Sequence, residues 1–170
     1  QSILERGAKG IILDLRNNPG GLLPVVVDVA SQFLEGNEVV LYEVSSEGKY
    51  RAWKAKAGGL ALGVPLVVLV NQGSASGSEV LAGALQYYNR GPLIGTKTYG
   101  KGSVCILRQL QDGAGLYLTS ARWLTPGKVQ IEGEGLSPDF EVEISQEDVE
   151  KGNDPQLQCA IDHLKTLLNE

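Results

Sequence analysis

The run Pro65-Leu66-Val67-Val68-Leu69-Val70 is apolar without a break. A strand with one wet face alternates apolar and polar residues, so an unbroken run reads as a strand covered on both faces. That in turn calls for a layered sheet with helices packed against it. Asn71 to Ser78 is then small and polar, and Glu79 to Tyr88 has helical spacing before Asn89-Arg90-Gly91 stops it. The same alternation recurs along the chain. Gly10 to Leu15 reads as a buried strand that breaks at the dense turn signal Arg16-Asn17-Asn18-Pro19-Gly20-Gly21. Leu22 to Leu34 fits a helix, stopped by Glu35-Gly36. Val39 to Val44 and Tyr50 to Lys56 read as a hairpin turned at Ser45-Ser46-Glu47-Gly48. Leu93-Ile94-Gly95 is a short strand, and Ser103 to Leu110 with Gly115 to Trp123 form a hairpin around Asp112-Gly113. Thr125 to Pro138 is irregular, and Asp154 to Leu168 closes with a helix. The pattern is α/β, and 170 residues without a linker or low-complexity segment make one domain able to bury a core.

Charge and rare residues narrow the function. A net charge of −5 offers no basic footprint for nucleic-acid phosphates. His163 is the sole histidine, so no zinc site of several histidines can be built. A Ser-His-Asp arrangement has one candidate, on an amphipathic terminal helix that suits an edge residue better. Cys105 and Cys159 lack the spacing of a metal or redox pair, and only the fold can decide whether they bridge. No secretory leader or membrane-length apolar run is present. The chain opens at Gln1 and contains no Met, which reads as a piece of a longer protein.

Two segments carry chemistry. Asn71-Gln72-Gly73-Ser74-Ala75-Ser76-Gly77-Ser78-Glu79 follows the buried strand and opens a helix. A serine at such a junction can be sharply exposed, with free helical N–H groups nearby for a developing oxyanion. The competing reading is a capping loop, because Ser with Glu three residues later is also a capping-box signature. In Gly95-Thr96-Lys97-Thr98-Tyr99-Gly100-Lys101-Gly102, glycines flank Lys101 and allow close backbone approach. A lysine desolvated there would have a lowered pKa and could take a proton from a serine hydroxyl. The competing reading is a solvated turn lysine.

These two segments, in this order, resemble the carboxy-terminal processing peptidases, or tail-specific proteases. Residues 71–84 match the family pattern Asn-x-Gly-Ser-Ala-Ser-x-Ser-Glu-x-x-Ala-Gly-Ala, and Lys101 follows Ser76 by 25 positions, as the pattern has it. Leu13-Asp14-Leu15-Arg16-Asn17-Asn18-Pro19-Gly20-Gly21 matches a third motif, and Gly133-Glu134-Gly135-Leu136-Ser137-Pro138-Asp139 resembles the end of that family's core. The resemblance implies a Clp protease/crotonase-like fold of stacked ββα units. It also implies a Ser/Lys dyad that cleaves protein substrates near their C-termini without a metal or other cofactor. Carried over, Ser76 is the nucleophile and Lys101 the base. The N–H of Gly77 and one from Gly20 or Gly21 form the oxyanion hole.

The resemblance further implies a parent chain with a PDZ domain and an N-terminal helical region outside this core, and an extracytoplasmic location in a bacterial envelope or periplasm. Ser74 and Ser78 compete as nucleophiles but suit packing or capping, and Lys97 competes as base from an alternating, solvent-facing position. The family commonly has Gln four residues after the lysine, where it helps orient the amine; this chain has Cys105. A peptidase-like module kept only for binding is therefore the alternative. A crotonase-type acyl-CoA enzyme shares fold class alone, and no residue here calls for CoA.

Overall fold

The computed structural model describes residues 5–169. In chain order the elements are β1 (Ile11–Asp14), α1 (Leu23–Ala30), β2 (Val39–Ser45), β3 (Tyr50–Lys54), β4 (Leu66–Val70), α2 (Gly77–Tyr87), β5 (Leu93–Gly95), β6 (Ser103–Gln109), β7 (Gly115–Leu124), β8 (Phe140–Glu141), α3 (Gln146–Lys151) and α4 (Pro155–Leu168). They form two four-stranded sheets. One has order β1-β4-β5-β8 with every pairing parallel. The other has order β3-β2-β7-β6 with every pairing antiparallel.

The apolar run that predicted a doubly covered strand is β4, at the centre of the parallel sheet and buried at all five residues. Its two faces feed different cores. Leu66, Val68 and Val70 join the main cluster with α1, α2 and the antiparallel sheet, including Val40, Leu41 and Trp123. Val67 and Leu69 point the other way and pack with Ile94 against Ala160 and Leu164 of α4. Each such side chain contributes about 1.5–3 kcal/mol on burial, so the five together fix the layer order.

Three features depart from the pattern read in the sequence. The first helix ends at Ala30, not Leu34: Ser31 returns its hydroxyl to the Val27 carbonyl at 2.6 Å, and residues 32 and 33 tighten to bonds three residues back. The stretch after Pro138 contains a two-residue parallel strand, β8, added beside β5. It also contains α3, which Ser145 caps by accepting the Asp148 N–H and which ends at Gly152 in the left-handed conformation. The two predicted hairpins form as read, and the second turns through Gly113 at φ +85°.

Among the described residues no helix is long and apolar enough to cross a membrane, and Cys105 and Cys159 are both free thiols.

Candidate active site

The site is built where β1 and β4 both end and their following turns interlock. Ser74 is fully buried; its hydroxyl donates to the Leu15 carbonyl at 2.7 Å and accepts the Asn71 N–H at 3.0 Å. The Ala75 N–H reaches the Asn18 carbonyl at 3.0 Å, and the Asn71 side chain accepts the Asn17 N–H at 2.9 Å. Ser74 is thus committed to structure. Ser78 is buried inside the first turn of α2.

Ser76 stands at the N-cap of α2, partly exposed, with φ +56° and ψ −118°. A non-glycine residue in that region is strained by about 1–3 kcal/mol and persists only where its surroundings over-determine it. The surroundings are specific. Gly20, at φ +93°, lies so close that a Cβ there would sit 2.5 Å from the Gly77 nitrogen and 2.7 Å from the Ala75 carbonyl. Across the same contact, a Cβ on Gly77 would meet the Gly21 nitrogen at 3.1 Å. The Gly20 N–H is already donated to Asn18 Oδ1 at 2.9 Å. Gly21, exposed and with space around its Cα, keeps its N–H for other use.

Glu79 is the residue whose role went furthest beyond the sequence reading. As a capping-box partner it accepts the Ser76 N–H on Oε2 at 2.9 Å, while the Glu79 N–H donates to the Ser76 carbonyl at 3.0 Å. The same Oε2 accepts the Lys101 N–H at 2.8 Å, while Oε1 accepts the Thr98 hydroxyl at 2.6 Å and the Gly100 N–H at 2.7 Å. The side chain is fully buried. One carboxyl group therefore ties the nucleophile candidate to the lysine segment and holds their main-chain nitrogens within about 6 Å of each other. The Ser-x-x-Glu spacing was visible in the sequence, but the partners at 98–101 are not local and carry no spacing signal.

The glycines beside Lys101 do allow close approach: a Cβ on Gly102 would meet the Glu132 nitrogen at 2.6 Å, and one on Gly100 the Gly135 nitrogen at 3.1 Å. The side chain between them does not follow. Lys101 is exposed, which corrects the expectation of a lysine desolvated where its flanking glycines approach another element. Lys97 is also exposed and lines an open groove of about 810 Å³ with Gln86, Tyr87 and Gln130, a groove that includes neither Ser76 nor Lys101.

Cys105 is half-buried, and its sulfur lies 3.7 Å from the Thr119 hydroxyl across the β6–β7 pairing. At the register shift between Val104 and Cys105 the extra residue is Ser120 on β7, so β6 itself keeps its two-residue period from Ser103 to Cys105. His163, partly buried on α4, tilts against Phe140 with ring centroids 5.2 Å apart and borders a cavity with Gln86 and Asn89 at the far end of α2. An eleven-residue helix is about 16 Å long, which separates that end from Ser76.

Beside the Gly20–Gly77 contact opens a cavity of about 310 Å³ walled by Leu13, Val25, Val26, Val29 and Leu81. Among the described residues no group of three or more His, Cys, Asp or Glu could hold a metal ion.

Known proteins share the family and the fold of this chain. The profile of peptidase family S41 matches residues 1–142. A carboxyl-terminal-processing protease from Synechocystis sp. is 47% identical over 163 residues, covering 94% of this chain and 38% of that protein. The chloroplastic carboxyl-terminal-processing peptidase 3 of Arabidopsis thaliana is 45% identical over 130 residues, covering 76% of this chain and 25% of that protein. The solved structure of a photosystem II D1 C-terminal processing protease superposes with a TM-score of 0.78 at 39% identity, over 88% of this chain and 39% of that one. The tricorn protease, at 23% identity and a TM-score of 0.64, shares the fold. The chain thus spans less than two fifths of the length of these relatives.

Proposed function

Because the chain belongs to peptidase family S41, we propose that it is the catalytic core of a serine endopeptidase that cleaves protein substrates near their C-termini, with Ser76 as nucleophile and Lys101 as general base. The observation that carries this reading is the Glu79 carboxyl group, which takes the main-chain N–H of both residues while Ser76 sits in a strained backbone conformation. A strained serine opening a helix is what an exposed nucleophile needs, and strain of this kind clusters at active sites.

In this reading Ser76 Oγ attacks the scissile carbonyl carbon, and its proton passes to the neutral Lys101 amine. The carbonyl oxygen takes up negative charge, stabilised by the N–H groups of Gly77 and Gly21; the engaged N–H of Gly20 favours Gly21 of the two candidates. Collapse breaks the C–N bond, with the lysine proton going to the leaving amine, and water then hydrolyses the acyl-enzyme by the same route in reverse. A neutral lysine is favoured when water is excluded. The exposure of Lys101 therefore assigns that exclusion to bound substrate or to parts of the protein outside this core. The 310 Å³ apolar cavity beside the two glycines suits an apolar side chain next to the cleaved bond.

The parent protein carries a PDZ domain that presents substrate C-termini, and it works in an extracytoplasmic compartment. Its relatives come from bacteria and chloroplasts.

The test is turnover of an unfolded protein with an apolar C-terminal segment by the full protein, together with labelling by a fluorophosphonate. Ser76→Ala should lower kcat about a thousandfold or more and abolish labelling. Lys101→Arg should be equally inactive, because arginine stays protonated and cannot act as a base. Full activity in either variant rejects the dyad, and absence of both turnover and labelling in the unmodified protein favours the binding-module alternative.

A further inference from the structure

The oxyanion turn, residues 16–21, has an anchor that the dyad chemistry does not use. Arg16 is the first residue of that turn, and its side chain is only 14% exposed. On one side Nε and Nη2 form a bidentate pair with Asp14, at 3.0 Å to Oδ1 and 2.7 Å to Oδ2. On the other side Nη1 leaves the turn for the C-terminal helix, donating to Asp154 at 2.9 Å and to Gln156 Oε1 at 3.1 Å. Both acceptors are themselves fixed. Asp154 is the N-cap of α4 and accepts the Leu157 N–H at 2.9 Å. Gln156 is 2% exposed, and its amide donates to the Val142 carbonyl at 2.7 Å. All three guanidinium nitrogens are thereby engaged, in the fork geometry that Arg alone offers.

We infer that Asp154 and Gln156, on a segment beyond the part matched by the family profile, are positioning residues for the oxyanion turn and act through Arg16. This rests on the Ser76/Lys101 reading given above. The mechanical path is short. Arg16 fixes the start of the turn, Asn18 bonds to Ala75, and Gly20 closes against Gly77 four residues after Arg16. Loss of the α4 contacts frees the guanidinium to pivot about Asp14, and the Gly21 N–H moves with the turn. An oxyanion donor acts mainly in the transition state, so its displacement lowers kcat and leaves KM nearly unchanged. Misplacement of about 1 Å can cost up to a hundredfold.

The experiment uses the full protein and the unfolded substrate described above, with Asp154→Asn as the main variant. Asparagine caps a helix as well as aspartate does, so α4 is kept while the charge opposite Arg16 is removed. Asp154→Ser, which also caps, is the second variant should the first fold poorly. The expected result is a fall in kcat of about tenfold with KM within about twofold and a nearly unchanged melting temperature. The fall should be absent when Arg16 is already Gln, because the path is then cut. Unchanged kcat in Asp154→Asn, or a loss that simply adds to that of Arg16→Gln, overturns the inference. Ser76→Ala, run alongside, keeps the two readings apart. Turnover by Ser76→Ala overturns the dyad and this inference with it, whereas an inactive Ser76→Ala beside a fully active Asp154→Asn overturns this inference alone.

Discussion

Replacing Glu79 is the most direct way to ask whether one carboxyl group organises the site, and the cost can be worked out group by group. Oε2 receives two N–H groups, from Ser76 and Lys101; Oε1 receives one N–H, from Gly100, and the Thr98 hydroxyl. Glutamine keeps one acceptor and turns the other into a donor. With its carbonyl at the Oε2 position both main-chain ties survive, and its amide faces Gly100 and Thr98. The Thr98 hydroxyl already accepts the Leu136 N–H at 2.7 Å and can rotate to accept the amide as well. The Gly100 N–H is then orphaned, which costs about 1–3 kcal/mol, and the Thr98 hydroxyl proton also loses its present acceptor. The reverse orientation orphans both the Ser76 and Lys101 N–H groups and is disfavoured. Alanine removes every acceptor at once, leaving three N–H groups without the partner they have now and a cavity besides, so a loss of about 4 kcal/mol or more is expected. Urea unfolding and turnover measured on Glu79→Gln and Glu79→Ala should therefore separate. Glutamine should be destabilised by about 1–3 kcal/mol with measurable activity, and alanine further destabilised and inactive even where it remains folded. If Glu79→Ala lies within about 1 kcal/mol of the unmodified protein, or retains full turnover, the carboxyl is not the tie described here.

Other consequences are open to measurement. Gly20→Ala combines a positive φ with contacts of 2.5 and 2.7 Å and should lose about 2–5 kcal/mol in a denaturant melt, whereas Gly21→Ala, with nothing within 4 Å, should be within about 0.5 kcal/mol. Arg90 donates to the carbonyls of Phe33, Ala61 and Val64, and burial pushes its pKa down; Arg90→Ala should cost about 2–4 kcal/mol, and loss of less than about 1 kcal/mol would show those carbonyls to be satisfied otherwise. For Asp14, burial works against the charge, but hydrogen bonds from the Arg16 side chain and main chain outweigh it and hold the carboxyl below its ordinary range. A depressed folded pKa gives stability that is present above the ordinary carboxylate range and lost as pH falls through the lowered value. Acid unfolding of Asp14→Asn should accordingly lack a component that the unmodified protein shows only at low pH.

How far the sequence could be read depended on whether the decisive contacts were local. The β4 run and the helix after it were legible because burial on two faces and helical spacing are written into consecutive residues. The α3 helix carried a readable signal, Ser145 with Asp148 three residues later and Gly152 after it, in a stretch left unassigned for want of apolar periodicity. β8 carried none: two exposed residues pair with the edge of β5, a partner far away in the chain. In the site, the glycines at 100 and 102 correctly announced close packing, against residues 131–135, yet gave no information on where the intervening side chain points. Lys101 is turned outward by the same packing that draws its neighbours in. The α4 anchor of Arg16 lay further still beyond reach, since Asp154 and Gln156 are 138 and 140 positions away in the chain.

Capping and nucleophilicity were opposed readings of Ser76 in the sequence, but in the proposed mechanism they are two aspects of one device. A cap residue in ordinary extended geometry would let its carboxylate partner satisfy the helix end and nothing more. Here the N-cap residue is held at φ +56°, and the strain of about 1–3 kcal/mol has to be offset by contacts that no other conformation would keep. Glu79 supplies one of them at the Ser76 N–H, the Asn18–Ala75 bond supplies another from the preceding residue, and the Gly20–Gly77 approach closes the third side. Each of these also sets a part of the proposed mechanism: the lysine segment, the turn bearing Gly21, and the N–H of Gly77. A substitution that relaxes Ser76 into an ordinary cap must therefore loosen the lysine segment or the oxyanion turn with it. The site stores its strain in the contacts that define its geometry, so a plain capping signature is compatible with the nucleophile role proposed for Ser76.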